Sequence, residues 1–339
     1  MQEKLEEIVW LRAVATICIV IGHCFGMYEN WIPINEYIHG IYYKIYDGIN
    51  PFLIYLALPL FVFISGYLMA HSKKEEHFKK FLIKKTIRLL LPGIIFSFLY
   101  YLLFKTNSSD SIISVIINLL INGYGHLWFL YMLFGVYIIG WIHIKCIKPK
   151  GLIINIFLSF ILSFIFMFCN IPRGIGQIFF YYFFFYIGVA SYIHKSQLLK
   201  IFSNIKPFIF ILIYVVAFLI FSSIKLWSSP KIDNIVLISF SHWLYRFIMG
   251  FVGISTIFLF SILKKIYISI IINNISLNSF LIYILHQFIL IGLLTFNNIK
   301  SIFQLSPVFF LFILTLAVLL ISYILSNILN KNKYVQKYL

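Results

Sequence analysis

The sequence predicts an all-α membrane protein, a polytopic bundle of about ten transmembrane helices with one extra short re-entrant or interfacial helix. Three observations predict it. The 339 residues are 62% hydrophobic and only 11% charged, an apolar surplus that a water-soluble domain cannot cover. Apolar stretches long enough to cross a hydrocarbon layer about 30 Å thick recur from end to end. Finally, the 27 Lys and Arg residues alternate by loop, twenty on one side of the expected bundle and seven on the other. The positive-inside rule makes the richer side cytoplasmic, with both termini on it. The chain is therefore expected to be a multi-pass protein of the plasma or inner cell membrane, one integral membrane domain over residues 1–339.

Spans are expected at 8–26, 51–70, 87–104, 126–142, 151–169, 176–193, 207–224, 244–263, 276–296 and 306–329. The first is preceded by Glu3, Glu6 and Glu7 and followed by no small-residue cleavage site, so it reads as a span and not a signal peptide. An outer loop, 25–50, follows with Glu29, Glu36 and Asp47; Glu36 is taken as a contact for a polar external substrate, the alternative being an ordinary solvated loop. The second span, PFLIYLALPLFVFISGYLMA, holds no charge. Seven basic residues lie in 73–88, ahead of a third span interrupted at Pro92. SIISVIINLLI, 111–121, is too short to cross and is the re-entrant or interfacial helix. GHLWFLYML, 125–133, opens the fourth span, where Trp128 and Tyr131 suit an aromatic belt. Lysines at 145, 148 and 150, then at 195, 200 and 206, mark the cytoplasmic turns on either side of the fifth and sixth spans. His242 and Arg246 lie where the eighth span begins and read as interfacial. Lys264 and Lys265 turn the chain into the ninth, SLNSFLIYILHQF, with His286 about ten residues inside. No soluble domain is read at either end.

Within this bundle one stretch stands out: LRAVATICIVIGHC, Leu11 to Cys24. Arg12 and His23 are eleven residues apart, three helical turns plus roughly 20°, so they share a face about 16 Å apart along the axis. With Arg12 at a membrane surface, His23 lies near mid-membrane, where a polar side chain usually faces a bundle interior. An imidazole there can take a proton from a hydroxyl at neutral pH, its ordinary pKa being about 6.5. An interhelical hydrogen bond is the alternative for His23, as it is for His286. Lys85 and Arg88 can hold the phosphates of a nucleotide-bearing donor, while the remaining lysines of 73–88 are explained by topology alone. His126 is either a substrate contact or a belt residue.

Other classes are disfavoured. The basic residues fall between spans and not on one soluble face, which argues against nucleic acid. Cys18, Cys24, Cys146 and Cys169 show neither metal nor disulfide spacing, and no metal is expected. P-loop, HExxH, GxSxG and CxxC motifs are absent.

Arg12-x10-His23, PLFVFISGYL at 59–68, FLIKKTIRLLLP at 81–92, HLWFLYML at 126–133, FFYIGVAS at 184–191 and NSFLIYILH at 278–286 occur in an order that resembles the acyltransferase-3 family of integral membrane O-acyltransferases. The resemblance covers nearly the whole chain. It implies a ten-helix bundle, an acetyl-CoA donor reached from the cytoplasm, and an acceptor hydroxyl on a cell-surface polysaccharide or glycolipid. Its R-x10-H pair maps onto Arg12 and His23 as catalytic residues, with Arg12 also near the donor and His23 either a general base on the acceptor hydroxyl or a brief carrier of the acyl group. Its basic-x-x-Arg element maps onto Lys85 and Arg88. His126, Trp128, His286 and Glu36 are then assigned to the acceptor side. The expected partners are the glycan or lipid-linked sugar acceptor and membrane lipid. Because the chain stops at Leu339, it is expected either to complete the transfer itself or to hand the acyl group to a separate extracellular transferase. The competing readings are an exporter of polysaccharide or lipid-linked sugar, which needs no acyl donor, and a non-catalytic scaffold.

Overall fold

The structure, a computed structural model, describes residues 5–26, 41–72, 77–104, 111–146, 152–167, 173–228, 235–263, 268–295 and 307–332. These form helices and their connections: α1 (Glu6–Gly26), α2 (Ile41–His71), α3 (Phe78–Lys85), a π turn (Thr86–Leu90), α4 (Leu91–Phe104), α5 (Ile112–Asn122) and a 3-10 turn (Gly125–Leu127). They continue as α6 (Trp128–Cys146), α7 (Leu152–Met167), α8 (Arg173–Ile193), α9 (Lys195–Phe202), α10 (Phe208–Ser228), α11 (Ile235–Leu263), α12 (Ile270–Leu294) and α13 (Pro307–Asn330). Among the described residues, eight helices are long and apolar enough to cross a membrane, and Ile112–Asn122, Ile154–Ile165 and Phe208–Ile220 are shorter apolar helices. The protein is a multi-pass helical membrane protein.

Each expected span coincides with a helix, but several helices begin earlier. The eighth starts at Ile235 and the ninth at Ile270, while the outer segment read as loop is helical from Ile41. Apolarity marks the part of a helix that sits in hydrocarbon; backbone hydrogen bonding carries the helix beyond it. Short polar residues at the start of α12 do not stop it, because Ser269 caps the helix by accepting the Ile272 N–H at 3.3 Å. The third span shows how a proline is absorbed. Pro92 has no N–H to offer the Arg88 carbonyl, and the turn just before it widens, the Leu91 N–H reaching back to the Thr86 carbonyl. Helical structure thus runs unbroken through Phe78–Phe104.

Contacts divide the chain into two compact units: residues 1–61 with 196–330, and residues 62–195 with 331–339. In the first unit α12 packs along α1 and α13, and α10 along α11. Trp10, near the start of α1, meets Phe260, near the end of α11, with ring centroids 5.5 Å apart. These two helices are therefore antiparallel. The next helix, α12, then runs parallel to α1.

In the second unit α8 packs on α6 and α7, and the last turns of α2 approach α8 closely. A Cβ built at Gly66 would strike the Phe185 carbonyl, and one at Gly188 the Phe63 carbonyl. Backbones this close are what small residues permit between membrane helices. Gly66→Ala is accordingly expected to separate the two helices at a cost of about 1–3 kcal/mol, read as a lower melting temperature and lower yield in detergent. α5 exposes Ile112, Ile113, Ile116 and Ile117 while burying Leu119, a short apolar helix with one anchored side. Its exit is tied down by the Tyr131 hydroxyl donating to the Leu119 carbonyl at 2.9 Å and the Tyr124 N–H donating to Ser97 Oγ at 3.1 Å. Gly123 and Gly125, at φ 68° and 56°, supply the left-handed backbone that lets the chain turn from α5 into α6.

Candidate active site

His23 and His286, 263 residues apart in sequence, meet in the core of the first unit. His23 lies in the last turn of α1 and is 8% exposed; His286, on α12, is fully buried. His23 Nδ1 and His286 Nε2 are 2.9 Å apart, and the ring centroids are 4.9 Å apart at 37°. The other nitrogen of His286 is placed by its own helix: Nδ1 lies 2.6 Å from the Tyr283 carbonyl and 3.2 Å from the Ile282 carbonyl.

These contacts fix the protons of the neutral pair. A carbonyl oxygen only accepts, so His286 Nδ1 carries the hydrogen. The neutral ring then has a lone pair on Nε2, and His23 Nδ1 must donate to it. In that tautomer His23 Nε2 carries a lone pair and is the basic nitrogen. The arrangement has the logic of a base oriented by a second group, with a neutral imidazole in the orienting place. The pair sits among close packing: a Cβ at Gly22 would press on the Ile54 side chain of α2 at 2.7 Å, and Cys24 hydrogen-bonds with Thr315 of α13.

Arg12 is half-buried, three turns back from His23 on the same face of α1, and Thr16 Oγ1 donates to its carbonyl at 2.8 Å. Since α12 runs parallel to α1, the level of Arg12 on α12 falls near Asn274 and Asn278. A ladder of amides occupies that end of α12 and α13. Asn278 Nδ2 donates to Asn327 Oδ1 and to the Asn274 carbonyl, both at 2.8 Å, while Asn330 Nδ2 donates to Asn278 Oδ1 at 2.5 Å. Sequence reasoning missed this ladder, although the signal was present: Asn274 and Asn278 are four apart, Asn327 and Asn330 three apart, the spacing of one helix face.

The remaining expected residues belong to the second unit, apart from Glu36, which lies outside the described residues. The Lys85 ammonium sits 3.3 Å from the centroid of the Tyr137 ring and 5.8 Å from that of Phe81, a cation–π seat that the sequence did not signal. Arg88 falls within the π turn and is exposed. Its planar guanidinium is thus presented at the surface while the Lys85 ammonium lies against an aromatic ring. His126 is buried in the 3-10 turn, its ring 5.9 Å from that of Tyr100. Trp128 is half-buried against Phe129 and Tyr181, with centroids 6.2 and 6.1 Å away. So the structure joins His23 to His286, keeps Lys85 near Arg88 and His126 near Trp128, and places the first pair in one unit and the other four residues in the second.

A family model for the acyltransferase domain of the acyltransferase-3 type matches residues 5–327. The chain belongs to the acyltransferase-3 family. It is a membrane acyltransferase, and the match takes in both units, from the start of α1 into α13. No curated protein and no solved structure matches the chain significantly. Among the described residues of this acyltransferase, no three His, Cys, Asp or Glu side chains are grouped to hold a metal ion.

Proposed function

We propose that this acyltransferase moves an acetyl or other short acyl group from cytoplasmic acyl-CoA, acetyl-CoA first among them, to a hydroxyl of a cell-surface polysaccharide or glycolipid. The observation that carries the reading is the buried His23–His286 pair, which leaves a basic nitrogen on His23 inside a helix bundle. In the proposed step the acceptor oxygen attacks the thioester carbonyl carbon while His23 Nε2 takes the hydroxyl proton. The C–S bond breaks, and the departing thiolate recovers that proton to leave as free coenzyme A. His286 Nε2 continues to accept from His23 Nδ1–H, which steadies the imidazolium that forms. Arg88, with Lys85 and Arg12, is assigned to the phosphates and thioester of the donor. His126, Trp128 and Glu36 are assigned to the acceptor, whereas His286 is reassigned from the acceptor to the orientation of His23. On this reading the protein sits in the cell membrane with both termini cytoplasmic, in keeping with the twenty-to-seven distribution of basic residues.

The test is titration calorimetry of acetyl-CoA into purified, detergent-solubilised protein. Micromolar binding is expected, weakened about tenfold or more in Arg88→Ala through loss of a charge-assisted contact. Folded protein that binds no acetyl-CoA would instead favour an exporter of polysaccharide or lipid-linked sugar.

A further inference from the structure

A second polar cluster in the first unit plays no part in the transfer step. The Tyr55 hydroxyl of α2 and His242 Nε2 of α11 are 3.0 Å apart. His242 and Arg246 are four residues apart and share a face of α11. The Arg246 guanidinium carbon lies 5.8 Å from the centroid of the Tyr55 ring, and Tyr245 stands edge-on to the same ring at 5.5 Å. His242 is exposed and Arg246 half-buried. The sequence placed both at the membrane interface. The helix α11, however, begins at Ile235 with the apolar run IVLISF, so Arg246 lies eleven residues, about 16 Å, along it.

Helix register gives the depth of this cluster. From the Trp10–Phe260 contact, His23 is thirteen residues along α1 and Arg246 fourteen residues back along the antiparallel α11, about 20 and 21 Å respectively. Gly22, next to His23, faces Ile54, next to Tyr55. Arg246, Tyr55 and His23 therefore lie at one level of this unit, to within about one helical turn.

An ionised side chain at such a depth is costly and marks a substrate path more often than a structural contact. The Tyr55 ring holds the guanidinium by cation–π attraction. Its planar fork of donors fits a carboxylate or a phosphate, and His242 and the Tyr55 hydroxyl extend the donor set. The geometry points to a site for an anionic group of the acceptor: Arg246, with His242 and Tyr55, binds a carboxylate or phosphate on the molecule whose hydroxyl is acylated. This names the acceptor class of the proposed transfer and rests on that reading.

The experiment measures initial rates of transfer from radiolabelled acetyl-CoA by the full chain in detergent. Three acceptors are compared: a galacturonic acid trisaccharide, the neutral galactose trisaccharide of the same linkage, and that neutral trisaccharide phosphorylated at its reducing end. Wild type is expected to prefer one anionic acceptor to the neutral one at least tenfold, and to lose the preference as salt is raised; which anion is preferred separates carboxylate from phosphate. Arg246→Gln is expected to raise KM for that acceptor ten- to a hundredfold, with KM for acetyl-CoA and the neutral-acceptor rate unchanged, and Arg246→Lys to restore part of the loss. A wild type indifferent to acceptor charge overturns the proposal, with no variant needed. So does an Arg246→Gln effect that falls on acetyl-CoA or on all acceptors alike. Either result leaves acyl transfer standing, whereas no transfer to any acceptor removes both.

Discussion

Replacing His23 with asparagine is expected to lower acyl transfer by about a thousandfold while leaving the protein folded. The size follows from general-base catalysis, which contributes about 10²–10⁴-fold. Asparagine is chosen for its geometry. Its amide nitrogen stands where Nδ1 stood and can donate to His286 Nε2, so the buried acceptor keeps its partner; nothing remains at the position of the basic Nε2. His23→Ala should be equally inactive but less stable, because it strands the His286 lone pair in the core at a cost of about 1–3 kcal/mol. The measurements are transfer of labelled acetyl groups, melting temperature in detergent and yield in the membrane. Activity near wild type in His23→Asn would end the assignment of His23 as the base. A related readout separates general base from acyl carrier: a carrier releases coenzyme A in a burst before any acceptor is added, and a general base does not.

The second large effect is at His286. His286→Leu removes the acceptor that holds the proton on His23 Nδ1. The proton can then move to Nε2, and the base is lost in whichever fraction takes that tautomer. A fall of about a hundredfold in kcat is expected, in line with the loss of partners that orient a functional histidine. Two amides test the tautomer argument directly. Glutamine reaches the position of Nε2 and can accept from His23; asparagine reaches only the position of Nδ1 and can satisfy the Tyr283 carbonyl but not His23. His286→Gln is therefore expected to stay within about tenfold of wild type, with His286→Asn as low as His286→Leu, and KM for acetyl-CoA unchanged throughout. If Gln and Asn prove equally active, His286 supports structure and does not orient His23. A purely structural role would move melting temperature and kcat together, so both are measured on each variant.

Much of the fold was legible because the bilayer imposes a simple rule. Backbone polar groups in hydrocarbon must be satisfied within the segment, so a long apolar run has to be a helix, and the loops that stay inside keep their charges. That reasoning put a helix at each expected span, eight of them long and apolar enough to cross among the described residues, and identified α5 as a short apolar helix. It misplaced the starts of α2, α11 and α12, because the rule says nothing about helix outside the hydrocarbon. The difference bears most on Arg246, which the sequence set at an interface and which lies eleven residues into the longer α11.

The site was legible only as residue types. A histidine eleven residues beyond an arginine in an apolar run announces itself, and so does a second histidine in another span, since both are costly in lipid. Which partners they take is a matter of helix packing, and no local spacing encodes it. The sequence by itself determined that this is a helical membrane protein with Arg12 and His23 on one face of its first span. Only the tertiary structure decided that α12 runs beside α1 in the register that sets His286 Nε2 against His23 Nδ1. That register gives His23 its basic nitrogen, because the proton position on one imidazole is set by the hydrogen bond made by the other.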